Sequence, residues 1–247
     1  MAMWARARSA VLAAALAASG AGIAAAEASG AVGAGVAADA AASPAGGAVN
    51  AAGAGCAAQI AARVEQRYRA VRDLSADFEQ SSHSAAMPGA PSLSSGRLVI
   101  TRSGRLHFRY ERPAPSLVVS DGETLWIADP VAKEVQVLRA EGGFLAGTAL
   151  QVLVGGGRIA DAFEASAEGC GGGTVRLILA PREAAHYERI ELQVAAESGE
   201  VQGVALADVL GNITRTALRG VAVNQNPAPE LFHYAPAPGE RLLRFPR

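Results

Sequence analysis

The sequence predicts a mainly β fold with a few helices: one antiparallel sheet of sequential hairpins, with a helix at its start and another in mid-chain. Period-two alternation of apolar and polar residues recurs from Leu74 onward, and each run is bounded by turn residues. Only Cys56 to Asp73 shows a clear amphipathic helical period before those runs begin. One apolar stretch, Phe144 to Val154, interrupts the alternation with helical spacing and ends in Gly155-Gly156-Gly157.

In the first helix Ile60, Val64, Tyr68 and Val71 recur on one face, while Arg63, Glu65, Arg67 and Arg69 fall elsewhere. Such a stripe is expected to lie over a sheet. Leu74 to Ser82 then places Leu74, Ala76 and Phe78 opposite Ser75, Asp77 and Glu79. Gly96 to Thr101 alternates weakly, and Arg102-Ser103-Gly104 supplies a tight turn. Arg105 to Glu111 alternates cleanly, with Leu106, Phe108 and Tyr110 against His107, Arg109 and Glu111. Pro113 and Pro115 break the run, Leu117 to Ser120 resumes it, and Asp121-Gly122 turns into Thr124 to Ala128. Glu134 to Leu138 follows. In the mid-chain helix Leu145, Ala149, Val152 and Leu153 leave almost no polar face, so this helix must cover something or be covered. Further strands are expected at Thr174 to Ala180, Glu188 to Ala195, Val201 to Asp208 and Ile213 to Val223, with a short last one near Phe232. Asp161 and Glu164 read as a polar helix face. Sequential hairpins with two helices make one antiparallel sheet the economical architecture.

The chain has 247 residues and a net charge of −1. Residues 1–26 read as a signal peptide: Arg6 and Arg8 precede an apolar run that ends in Ala24-Ala25-Ala26 before Glu27. That run is mostly alanine and glycine, whereas a membrane span favours bulkier apolar residues. Its removal shifts the net charge to −3, which gives no electrostatic reason to bind nucleic acid. Residues 27–55 are nearly all Ala, Gly, Ser and Val with Glu27 and Asp39 as the charges, and read as a flexible leader. The folded domain is expected at 56–247.

No catalytic constellation starts an enzyme argument. His83, His107, His186 and His233 are scattered without metal-ligand spacing, so no metal or cofactor is expected. His107 alternates with Arg109 and Glu111 and reads as a solvated strand residue. There is no Gly-x-Ser-x-Gly elbow and no phosphate-binding glycine loop. Cys56 and Cys170 form an even pair that an oxidising compartment allows to bridge, but sequence leaves the pairing open because it requires neighbouring Cα atoms. Lipidation of Cys56 is disfavoured, since Gly53-Ala54-Gly55 lacks a bulky apolar residue and the apolar run ends far upstream.

The ordered motifs resemble the LolA family of periplasmic carriers of outer-membrane lipoproteins. The resemblance runs from Ile60 to the C-terminus. It begins at Leu74-Ser75-Ala76-Asp77-Phe78-Glu79-Gln80 and continues through Ser95-Gly96-Arg97-Leu98 and the Arg102 to Pro113 hairpin. Its most specific block is Val119-Ser120-Asp121-Gly122-Glu123-Thr124-Leu125-Trp126, followed by Asp129-Pro130. Asp208-Val209-Leu210-Gly211-Asn212-Ile213-Thr214, Asn224 and Phe232 complete the set. Ser103 stands where the family has proline and Phe108 where it has tryptophan; the two cysteines and the leader are also atypical.

The resemblance implies a half-open antiparallel β-barrel covered by a helical lid, with an apolar cavity for acyl chains. Leu98, Ile100, Leu106, Phe108, Tyr110, Leu125, Ile127 and Leu153 would line that cavity, with Leu145 to Leu153 in the lid. Without the resemblance, the residues by themselves favour an ordinary filled core, given how densely interiors pack. Arg102 would latch the lid in the empty form. The implied function is transport by a monomer, loaded by an inner-membrane ABC transporter complex and emptied into an outer-membrane lipoprotein receptor. The alternatives are that receptor itself, or a lipid-sensing envelope regulator of the same fold.

Overall fold

The computed structural model describes residues 51–140, 153–154, 158–185 and 187–244. A helix, α1 (Ala51–Tyr68), precedes six strands: β1 (Asp73–Ser84), β2 (Met87–Thr101), β3 (Leu106–Arg112), β4 (Ser116–Ser120), β5 (Thr124–Asp129) and β6 (Glu134–Arg139). A one-turn helix, α2 (Ile159–Ala162), leads into β7 (Phe163–Glu168), β8 (Thr174–Pro181), β9 (Tyr187–Ala195), β10 (Val201–Asp208) and β11 (Ile213–Val223). A 3₁₀ turn at Pro229–Phe232 precedes β12 (Arg241–Arg244).

All twelve strands form one sheet in the order β12-β6-β5-β4-β3-β2-β1-β11-β10-β9-β8-β7. Every pairing is antiparallel except β12 on β6. The sheet does not close, since β7 and β12 stand at its two edges. The fold is thus a half-open antiparallel barrel. Short β12 carries Arg241 and Arg244 at its ends, and charge on a short edge strand discourages pairing with another chain.

The register explains the alternation in the sequence. Leu98 faces Ala76 and Phe108, and Ile100 faces Leu74 and Leu106, so the apolar sets of β1, β2 and β3 share one face. Leu177 and Leu192, then Leu179 and Ile190, continue that face on β8 and β9. Against it packs α1 through Ala57, Ile60, Ala61, Val64 and Tyr68, all buried in the same cluster. The helix lies over the β7–β8 end of the sheet. Gly199 lets the β9–β10 turn approach it: a Cβ there would stand 2.7 Å from the Arg63 carbonyl oxygen.

Five features differ from the sequence expectations. Helix α1 begins at Ala51 and ends at Tyr68, because Val71 N–H donates back to the Tyr68 carbonyl and Asp73 already pairs with Thr101. Strand β2 begins at Met87 rather than Gly96, since long β1 supplies a partner for residues of poor strand propensity. Glu164 is not on a helix: the chain turns extended at Phe163, and Glu164 pairs with Ala180. Phe232 ends a 3₁₀ turn instead of a strand, as Pro227 and Pro229 remove ladder donors, and the last strand lies at β12. His107 is also half-buried rather than solvated. Most of the expected mid-chain helix falls outside the described residues; Leu153 and Val154, at its end, are buried.

Candidate functional site

The eight residues assigned to the cavity come together. Leu98, Ile100, Leu106, Tyr110, Leu125, Ile127 and Leu153 belong to one buried apolar cluster on the inner face of the sheet, and half-buried Phe108 packs against it. Gly96 brings β2 unusually close to β3, where a Cβ would stand 1.9 Å from the Arg109 carbonyl oxygen. It also lies between Phe78 and Tyr110 in register, so these rings meet edge to face across it at 5.1 Å. Phe78 reaches Phe108 at 5.8 Å, which makes the three rings a continuous floor.

The inner face changes character along β1. Leu74, Ala76 and Phe78 are apolar, but the next inward positions are Gln80 and Ser82. Gln80 Nε2 donates to Thr216 Oγ1 on β11 at 3.2 Å, and Ser94 Oγ donates to Gln80 Oε1 at 3.3 Å. Ser82 and Thr214 hydroxyls follow at 3.3 Å. Beyond this polar row the β1–β2 hairpin is largely exposed, including Met87 and Leu93. The row therefore marks where the apolar face meets water. At the same end of β3, Tyr110 is opposite Ser116 of β4. Burial pushes the Tyr110 phenol far above its ordinary range. The Ser116 hydroxyl is buried and has no partner among the described residues.

At the other end of β3 sits Arg102, held in the β2–β3 turn by Thr101 N–H to the Arg105 carbonyl at 2.9 Å. Its side chain donates to three carbonyl oxygens: Val154 at 2.7 Å from Nε, and Arg69 at 2.5 Å and Val71 at 2.6 Å from Nη2. Arg69 and Val71 follow the last residue of α1, so two of these bonds satisfy carbonyls at a helix C-terminus, where a cation is favoured. The third joins the β2–β3 turn to the end of the mid-chain segment.

Helix α1 is tied down along its length. Cys56 is bonded to Cys170 in the β7–β8 turn, with Cα atoms 6.4 Å apart. Arg63 donates to the Ala196 carbonyl, and Glu65 Oε1 accepts from Ile159 N–H at 2.7 Å. Tyr68 hydroxyl accepts from Val201 N–H at 3.1 Å. Because a single segment cannot leave without breaking all of these, α1 forms one body with the β7–β10 end of the sheet.

Residues 69–235 match the family model described as outer membrane lipoprotein carrier protein LolA. The chain belongs to the LolA family. It is 32% identical over 192 residues to an outer-membrane lipoprotein carrier protein of Alkalilimnicola ehrlichii, covering 76% of this chain and 86% of the relative. The corresponding protein of Chromobacterium violaceum is 29% identical over 182 residues, covering 74% and 86%. A LolA superfamily protein from Nitrosomonas europaea, known by crystal structure, matches with a TM-score of 0.41 at 10% identity, over 72% of this chain and 97% of that one.

The LolA motifs now have physical reasons. Asp121 Oδ1 accepts from Glu123 and Thr124 N–H, which sets the turn between β4 and β5. Asp208 Oδ1 does the same for Leu210 and Asn212, and Asn212 Oδ1 accepts from Ala85 N–H, locking the β10–β11 turn to the β1–β2 hairpin. Asn224, at φ 56°, accepts from Arg72 N–H at 2.7 Å and donates to the Ala70 carbonyl at 3.2 Å. It thereby steadies the loop whose carbonyls Arg102 uses. Trp126 points to the outer face, where its ring meets His233 at 5.4 Å. Phe232 lies outside the inner cluster with the Arg105 guanidinium 4.9 Å above its ring. Sequence reasoning missed Ser116, Gln80 and Thr216, since nothing in a lone Ser or Gln signals which face it will occupy.

Proposed function

We propose that this protein carries lipoproteins through the periplasm, holding their acyl chains against the inner apolar face of the half-open sheet. It takes them from an inner-membrane ABC transporter complex and yields them to an outer-membrane receptor. Membership of the LolA family carries this reading. The gathering of Leu98, Ile100, Leu106, Phe108, Tyr110, Leu125, Ile127 and Leu153 on one face supports it. Each CH₂ removed from water is worth about 0.8 kcal/mol, so unaided escape of several long chains from a bilayer is far too slow. A carrier surface that receives those chains lowers the barrier.

Arg102 is the latch in this scheme. It ties the end of the mid-chain segment, through Val154, to the β2–β3 turn. Loading requires that segment to swing away from the sheet, while stapled α1 stays as a fixed wall. Residues 1–26 direct export across the inner membrane and are then cleaved off. The sulfur of Cys56 is engaged with Cys170, which leaves it no thiol for a diacylglyceryl group and disfavours a lipid-anchored receptor. Among the described residues no helix is long and apolar enough to cross a membrane.

The deciding experiment is purification from the periplasmic fraction followed by intact-mass measurement and lipid extraction. Co-purifying lipoprotein, on a chain starting near Glu27 without an added diacylglyceryl mass, is the expected result. A chain that carries no acylated cargo under conditions where lipoprotein traffic is blocked downstream refutes the carrier reading.

A further inference from the structure

The inner face holds two hydroxyls, those of Tyr110 and Ser116, that hydrogen-bond no described residue. Tyr110 is only 3% exposed, and no described residue hydrogen-bonds its hydroxyl. Ser116, its cross-strand neighbour, buries an unpartnered hydroxyl beside it. Directly opposed residues share a face and lie close enough to act on one group. A buried hydroxyl without a partner is destabilising, so the Ser116 oxygen, opposite a tyrosine whose own hydroxyl bonds no described residue, requires an explanation.

Their position along β3 supplies one. Tyr110 stands at the end of the strand nearest the polar row of Ser94, Gln80 and Thr216, where the apolar face gives way to water. Leu106, at the opposite end near Arg102, is fully buried among Ile100, Leu74 and other aliphatic side chains. Ser120, opposite Leu106, is buried too, but its hydroxyl accepts from Gly122 N–H at 3.1 Å, so the face is graded: aliphatic with its one hydroxyl satisfied towards the latch, and with unbonded hydroxyls towards the exposed hairpin. An acylated glyceride has the same grading, with hydrocarbon tails at one end and ester carbonyls at the other.

We propose that Tyr110 and Ser116 donate hydrogen bonds to the ester carbonyls of the acylated glyceryl head, with the tails running from there towards Arg102. This rests on the carrier reading and adds which end of the cargo lies where. A tyrosine and a serine hydroxyl can each donate, and an ester carbonyl can only accept, so the match has the right sense. Gln80, Ser94 and Thr216 already satisfy one another and serve as the boundary rather than as ligands.

The test compares two probes: a synthetic diacylglyceryl-cysteine lipopeptide and its dialkyl ether analogue, which keeps the hydrocarbon but lacks the carbonyls. Tyr110→Phe and Ser116→Ala are each expected to weaken the ester lipopeptide about fivefold, the worth of one hydrogen bond, and to leave the ether analogue unchanged. Urea unfolding of the empty Ser116→Ala protein should show an unchanged or raised midpoint, because the hydroxyl it loses has no partner. Equal losses for both probes, or no loss for either, overturn the head-group assignment while the carrier reading stands. Failure of the wild type to bind either probe refutes both.

Discussion

Replacing Arg102 with leucine is expected to make the protein load readily and unload poorly. The side chain makes three hydrogen bonds with a charged donor, but they do not count equally. Those to Arg69 and Val71 cap the end of α1, which the disulfide and the Glu65 and Tyr68 contacts keep in place whether or not the mid-chain segment moves. In the proposed scheme they affect the open and closed forms alike, and only the bond to Val154 distinguishes the two. A hydrogen bond to a charged group contributes about 1.5–3 kcal/mol. Because the turn is partly exposed and water replaces the lost donor, the lower end applies, which is about a tenfold shift towards the open form. Apparent affinity for an apolar fluorescent probe should therefore rise about tenfold, provided the closed form dominates by at least that margin. Transfer of bound lipoprotein to receptor-bearing membranes should slow in step. Arg102→Lys offers one point charge instead of a planar fork and should fall between the two. The same probe affinity and transfer rate in Arg102→Leu and wild type would show that Arg102 merely caps α1, and the latch argument would fail.

Phe108→Asp should abolish probe binding while the β-type circular dichroism spectrum persists, because half-buried Phe108 borders the inner face; global unfolding would instead mark a closed core in which an unpaired carboxylate costs several kcal/mol. Removing the disulfide with Cys56→Ser and Cys170→Ser should lower unfolding stability by about 2–4 kcal/mol, since the bridge closes a loop with a sequence separation of 114, and an unchanged urea midpoint would refute a structural role for it. Burial is the main cause that holds the His107 imidazole below its ordinary range, with Arg109 adding to it. The unfolded chain then takes up a proton that the folded one refuses, so the stability His107 contributes is full above about pH 6.5 and is lost as pH falls below it. His107→Gln should flatten that part of the acid limb of the stability–pH profile; an unaltered limb would assign it to other groups.

Much of the sheet was legible because alternation is a local property. Leu106, Phe108 and Tyr110 announce their common face at any register that buries it, and Asp121-Gly122 announces its turn by what an aspartate can bond two residues on. The stripe of Ile60, Val64 and Tyr68 likewise marks the buried side of α1 before any partner is known. Other features exist only because distant segments meet. Met87 to Ser95 has little strand character and becomes strand because β1 offers it a ladder; β12 does so because its four residues reach β6. The Cys56–Cys170 bond depends on α1 lying over the β7–β8 end. Arg102 was identifiable by its motif, but its acceptors are main-chain oxygens, which every residue carries and no side-chain pattern singles out. Ser116 is the sharpest case: a serine hydroxyl is ordinary in sequence, and only the closing of β3 and β4 around it leaves that oxygen buried and unpaired. Sequence determined which faces are apolar, since that is set by side-chain chemistry and spacing. Tertiary structure decided which polar atoms those faces enclose, because desolvation is a property of the assembled surroundings and not of the residue.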